Sequence, residues 1–493
     1  MQRRPVTSPE LNILYAWQEQ TRDAAHSSPL RQQIVREEST LLPRFGAQYT
    51  KLLSLPRHAR RALQRQWKRS LAGIALLMAL GTQPALAATI NVGGQCTLVR
   101  AIVSANNNSS PQGFCRPGGS ADRIVLPRNS TQTLTRVDNA DSFYGPAGLP
   151  TIRSDITIVG NGSTIRRAPS APAFRIVNVA RGADLTLQQT TVSGARSFSA
   201  MFAFRSNITL SNSTISGNSG DGVAVDTRSN LIISNSTISR NAGVGVQFGQ
   251  GSGGPITNST IADNRDGGVS VGLYAVANVT GSTISGNSTE SDGGGIYALG
   301  RLRLSNSTVS NNSATSGGGI YLQTNSNESG VELTDCTITG NSASRSGGGL
   351  HVSYTGGSSY FAELSRTMVS GNTAPGGPEV YLDTRGPEGI TASNFNIFGH
   401  SGNAGVIGFA PGTTDIVPTQ PLSGVLNTSL TNNGGRTLTH ALVNGSPAID
   451  AVNDGTCPPP ATDQRGVSRP RDGNGDGGPA CDIGAVEALG SAL

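Results

Sequence analysis

Three sets of side chains in this 493-residue chain have the types and spacing for chemistry. The first is acidic: Asp263, Asp266, Glu290 and Asp292, with Arg265 beside them, sit in the same turn of neighbouring copies of a repeated phrase. Such a group reads as a solvated turn, as a calcium site, or as the acid and base of a polysaccharide hydrolase, which in inverting enzymes lie about 6.5–9.5 Å apart. The second is aromatic. Tyr297, Tyr321, His351 and Tyr381 occupy one position in four successive copies of the phrase, and would offer ring faces and polar tips to a sugar chain, or pack as a stack that shields a sheet. The third is D-G-N-G-D-G, where Asp472, Asn474 and Asp476 match the first half of a calcium loop and Gly477 makes its sharp turn. Ile483 stands where that loop needs its bidentate Glu, leaving Asp482 or Glu487 as substitutes or the whole as a surface turn.

Catalytic equipment is otherwise thin. After residue 87 the chain has no Lys and no Trp, no Asp-Asp dyad, and three His (His351, His400, His440) without a His-Gly pattern. A lyase would need a calcium-binding carboxylate cluster and a Lys or Arg base.

The element that positions these groups is a repeat. Phrases such as ITLSNSTISGNSGDGVAV and LRLSNSTVSNNSATSGGGIYL recur, setting Thr191, Thr214, Thr237, Thr260 and Thr283 at a constant spacing of 23 residues. Later spacings grow to 25 at Thr308, 29 at Thr337 and 31 at Met368, so insertions gather in one loop. That self-similarity marks a solenoid. Short apolar/polar alternation between Gly/Asn/Ser turns, with no leucine ladder, makes it all-β: a right-handed parallel β-helix of about 23 residues per coil, with N- and C-terminal caps. Asn218, Asn241, Asn264, Asn287, Asn312, Asn341 and Asn372 then form one column of stacked carboxamides, structural rather than catalytic. Asn212, Asn235, Asn258 and Asn306 form a second, whose N-S-T sequons the repeat explains without glycans.

The chain divides into a leader (1–87), an N-terminal cap (88–150), the coils (151–421) and a C-terminal segment (422–493). The leader ends in HARRALQRQWKR, the apolar LAGIALLMAL and Ala85–Leu86–Ala87, the pattern of a secretory signal, with an unusually long stretch before it. The formal charge of +6 belongs to this leader, which holds 13 basic and 5 acidic residues and leaves 24 and 26 beyond it. A net charge of −2 there gives no nucleic-acid footprint, and the chain beyond the leader contains no membrane-spanning run. Export favours disulfides, pairing Cys96 with Cys115 and Cys457 with Cys481, and leaving Cys336 as a buried thiol.

At the ends, SLTNNGGRTLTHALVNGSPAIDAVNDGTC, TDQRGVSRP and CDIGAVE resemble the C-terminal signature of choice-of-anchor Q proteins, secreted bacterial β-helix proteins. G-Q-C-T-L-V-R-A-I resembles the CSLREA-type segment that opens many of them, with Val99 and Arg100 standing where that motif has Arg-Glu. The resemblance implies an exported, cell-surface or released protein; the family's usual anchor is absent here, and no activity carries over residue by residue. The sequence therefore reads as a non-enzymatic adhesion or interaction protein, with polysaccharide or neighbouring-cell surface molecules as partners and calcium as the one cofactor suggested. A polysaccharide lyase or glycoside hydrolase is the alternative, and a structural envelope component the third reading.

Overall fold

The computed structural model describes residues 87–490 except 111–112, 197–198, 325–328, 355–361, 384–388, 393, 453–456 and 458, so the leader with its signal-like segment lies almost wholly outside the described residues. The rest winds into a right-handed parallel β-helix. One coil shows the plan: strands Asn207–Ser211, Thr214–Ser216 and Asp221–Asp226 are joined by short turns. Each strand pairs in parallel with the same phrase one coil on, Asn207 with Asn230, Thr214 with Thr237 and Val223 with Val246. Among the described residues the first two strand columns form one 21-stranded sheet and the third a 10-stranded sheet. Alternation sends Ile208, Leu210, Ile215, Val223 and their counterparts inward, where they are buried.

The bends fall at left-handed residues. Asn212, Asn235 and Asn258 each have φ of 49°, a conformation Asn adopts at low cost. The residue after each bend, Ser213, Ser236, Ser259, Ser282 or Ser307, points inward, and its hydroxyl accepts the N–H of the equivalent residue one coil back, Thr190 for Ser213 and a serine for the others, at 3.1–3.2 Å. Cys336 takes the next place in that column. It is a free, buried thiol that donates to Leu304 O at 3.4 Å and Thr334 O at 3.2 Å, and burial pushes its pKa up to about 12.

The seven-residue asparagine column is continuous. From Asn218 to Asn341 each Nδ2 donates to the Oδ1 of the next coil's asparagine at 2.8–3.0 Å, while from Asn241 onward it also donates to a carbonyl of the preceding coil, as Asn264 does to Ile238 O at 3.2 Å. Every carboxamide is thereby satisfied inside the turn.

At the N-terminal end the helix Leu98–Asn107, capped by the Thr97 side chain, buries Leu98, Ala101, Ile102 and Ala105 against the first coils. Cys96 and Cys115 are bonded beside it, as are Cys457 and Cys481 in the C-terminal segment, with Cα separations of 5.0 and 5.8 Å. That last segment folds back along one flank of the solenoid, where Val425, Leu426, Val452 and Ile483 pack on Met368 and Ile397.

Candidate functional site

The aromatic column is positioned by glycine. Each ring residue follows a Gly-rich turn by four residues, and Gly293, Gly317, Gly347 and Gly377 all have positive φ. A Cβ on Gly293 would lie 2.7 Å from Tyr297 Cα, and one on Gly295 2.5 Å from the next coil's Gly319 O, so the turn closes only without side chains. The strands that follow bury Ile296, Ile320, Leu350 and Val380 and therefore turn Tyr297, Tyr321, His351 and Tyr381 outward in register.

These four rings stack on one another. Centroids are 5.5, 4.8 and 4.9 Å apart and the planes diverge by 5°, 19° and 23°. The spacing is the coil rise, so the inner faces are occupied by neighbouring rings, and Tyr321 and His351 are only 9% and 8% exposed. Burial raises the Tyr297 and Tyr321 phenols and lowers His351, keeping the imidazole neutral. Their tips are held too: Tyr297 Oη donates to Gln323 Oε1 at 2.8 Å, and His351 Nδ1 lies 3.0 Å from Ser346 Oγ.

The stack leaves two ring faces without an aromatic partner, that of Tyr381, beside which the next coil places Ile407, and that of Tyr297 toward the preceding coils. Toward those preceding coils the same column carries Ser270, Gln247 and Ala224, and then Phe202. Phe202 meets Tyr144 edge-on, and the Arg175 guanidinium lies 4.8 Å from its centroid. Ser270, the exposed Gln247 and Ala224, none of them aromatic, thus form a saddle between two aromatic walls, four coil rises or about 19 Å apart at about 4.8 Å each.

Acidic groups rim this saddle, though in a different set from the sequence expectation. Asp221 is partly buried and accepts Val244 N–H at 2.9 Å. Burial pushes its carboxyl up to about 6, with Asp266 adding to the rise and Arg175 opposing it. Asp266 accepts Thr289 Oγ1 at 2.9 Å, and the charge of Asp292 reaches Tyr297, Tyr321 and His351. Asp263 instead occupies the left-handed bend before buried Asn264, and Glu290 is exposed. Among the described residues no three acidic, His or Cys side chains converge to hold a metal ion. Asp221 escaped the sequence reading because its partners come from other coils.

The D-G-N-G-D-G loop is closed on itself. Asp472 accepts the N–H groups of Gly475 and Gly477 at 2.6 and 2.9 Å, and Asp476 accepts that of Gly478 at 2.8 Å. Asp482 and Glu487 turn away from it into the core of the C-terminal segment. There Arg469 pairs with Glu487, Asp482 accepts the N–H of Asp450, and Arg465 pairs with Asp463 at 2.6 Å.

The motif blocks of the last segment serve docking. Gln464 Nε2 donates to Thr283 Oγ1 at 3.0 Å and Thr437 Oγ1 at 2.9 Å, while its Oε1 accepts from Thr308 Oγ1 at 2.7 Å. His440 Nε2 lies 2.8 Å from Ser310 Oγ, and Thr337 Oγ1 accepts Ala485 N–H at 3.0 Å. Beneath them Arg366 and Asp335 form a buried pair at 2.7 Å.

Fold and repeats define a right-handed β-helix protein. A family model described as "Right handed beta helix region" matches residues 161–313 and 202–374. No curated protein matches the chain. Solved structures similar to it include a double mutant of the periplasmic alginate epimerase AlgG, 14% identical over 56% of this chain and 70% of that one with a TM-score of 0.37. Another is pectate lyase Pel9A, 11% identical over 77% of this chain and 93% of that one with a TM-score of 0.37. Among the described residues no helix is long and apolar enough to cross a membrane.

Proposed function

We propose that this is an exported surface or secreted protein of the choice-of-anchor Q kind that binds glycan chains without cleaving them. The observation that carries the reading is the saddle ending on the Tyr297 ring face, since a sugar ring stacks on an aromatic face and its hydroxyls need polar neighbours such as Gln247 and Ser270. Asp221, Asp266 and Asp292 along the rim select neutral or amino sugars over uronates. Export is supported by the two disulfides and by the signal-like segment. The test is retention of the full chain on immobilised neutral glycans. Tyr297→Ala should weaken binding about tenfold, a stacking contribution of about 1–1.5 kcal/mol, and Tyr381→Ala should do little. Equal retention by Tyr297→Ala and the parent would remove the proposal.

One observation favours the enzymatic reading: a carboxyl pushed to about 6 beside Asp266 and Arg175 suits a general acid. Release of reducing ends or unsaturated products from the same glycans, abolished in Asp221→Asn, would establish it.

A further inference from the structure

The outward threonine column changes environment along its length. Thr283 and Thr308 are wholly buried under the C-terminal segment, whereas Thr191, Thr214, Thr237 and Thr260 are half-exposed. The covered coils show what this face recognises. Thr283 Oγ1 donates to Leu438 O at 2.6 Å, Asn306 Nδ2 to Thr462 O at 2.6 Å and Thr308 Oγ1 to Gln464 Oε1 at 2.7 Å. Hydroxyls and carboxamides at fixed coil positions thus hold polar acceptors.

The open coils repeat the same groups. Beside Thr191 and Thr214 the left-handed bends carry Asn161, Gln189 and Asn212, with φ of 50°, 50° and 49°. Together with Arg128 they line an open depression of about 690 Å³ that has no acidic side chain in its lining. Arg166 is exposed two residues after Thr164 in the same column, and Arg240 is exposed in the bend that follows Thr237. Within the bend column, Asn235 Oδ1 is buried without a hydrogen-bond partner.

We propose that these open coils form a second binding face, separate from the Tyr297 saddle, for a linear anionic polysaccharide running along the solenoid axis. Charge selects the anion at the end that holds the depression, because Arg128 is the charged residue of its lining and Arg166 lies exposed in the same column, while farther along Arg240 is followed one coil on by Asp263. Spacing selects the sugar. A pyranose ring spans nearly one coil rise of about 4.8 Å, whereas a peptide advances about 3.3 Å per residue and falls out of step. Among the described residues the chain's own segment meets successive coils through stretches distant in sequence, at Leu438, Gln464 and Ala485, the mark of a folded surface rather than a laid-down strand.

The test uses the full chain, with polygalacturonate and heparin as anionic probes and dextran as the neutral control. Retention on the anionic probes should weaken about tenfold in Arg128→Ala and several-fold in Thr214→Val, while Tyr297→Ala leaves it unchanged. Thr214→Val keeps the β-branched shape, and unaltered melting curves certify that both variants fold. Absence of binding to either anionic probe, or equal binding by parent and variants, overturns the proposal. So does sedimentation showing a dimer that Thr214→Val converts to monomer, which would assign the face to a second copy of the chain.

Discussion

At the scale of the residue, the same amino acid does different work at positions a few residues apart. Asn264 is fully buried: its Oδ1 accepts the N–H and Nδ2 of Asn241, and its own Nδ2 donates to Asn287 Oδ1 and Ile238 O. Asn212 lies at an exposed bend, where it is needed for its left-handed backbone. Asn264→Ala should therefore cost about 3 kcal/mol or more, since it strands several buried polar groups at once. Asn212→Gly should cost a few tenths, because Gly enters the left-handed region freely. Urea denaturation of the two variants checks the contrast, and equal costs would refute the column's structural role.

At the scale of the element, the asparagine column needs an end. Asn372 Nδ2 has no further asparagine and donates instead to Glu379 Oε2 at 2.6 Å, while Gly371 N–H and Asn372 N–H also reach that carboxyl at 2.8 and 3.2 Å. Burial pushes Glu379 up to about 7, outweighing the three donors that favour its charged form. A raised carboxyl binds its proton more tightly in the folded state. Its contribution to stability is therefore complete below the ordinary value of 4.5 and is lost as pH rises through about 7. His351 and His440, lowered by burial, act oppositely, and their contributions are complete only about a unit above the ordinary value of 6.5, so they offset part of this loss. Between pH 6.5 and 8 the protein should thus lose about 1 kcal/mol through Glu379. Over that interval the melting temperature of the parent should fall relative to that of Glu379→Gln, which keeps the histidines and lacks the carboxyl; parallel curves for the two would exclude this assignment.

At the scale of the whole molecule, the solenoid is held in two ways. Coil stacks on coil through the hydrophobic interior, and the C-terminal segment straps the flank from Gly281 to Met368. Gln464 is the centre of that strap, bonded to two coils and to Thr437. Gln464→Ala should destabilise the strap by about 2–3 kcal/mol through unpaired buried groups, and limited proteolysis should then cut between residues 422 and 490 before the coils. Simultaneous digestion of both would show that strap and solenoid unfold as one unit. The strap also divides the threonine face into a covered and an open part, so chemistry written identically in every coil is available only in some.

The sequence by itself determined the coil. Its period, the inward Ile/Val/Leu positions, the asparagine column and the buried Cys336 follow from residues that recur at a fixed spacing or stand as its exceptions, and the pairing of Cys96 with Cys115 and Cys457 with Cys481 follows from their places in the two end segments of a chain with a signal-like leader. It also placed Tyr297, Tyr321, His351 and Tyr381 in one outward line. Only the tertiary structure decided what those groups face. Coil rise and ring stacking coincide, so the inner aromatic faces meet each other, and only the end rings look onto other side chains, Tyr297 onto Ser270 with Gln247 beyond it and Tyr381 onto Ile407. Asp221, Arg175 and Asp266 come from three different coils, and Gln464 reaches threonines more than 150 residues away. Local spacing encodes neither contact, because repeat periodicity sets which residues stack while packing between coils and strap sets which remain open.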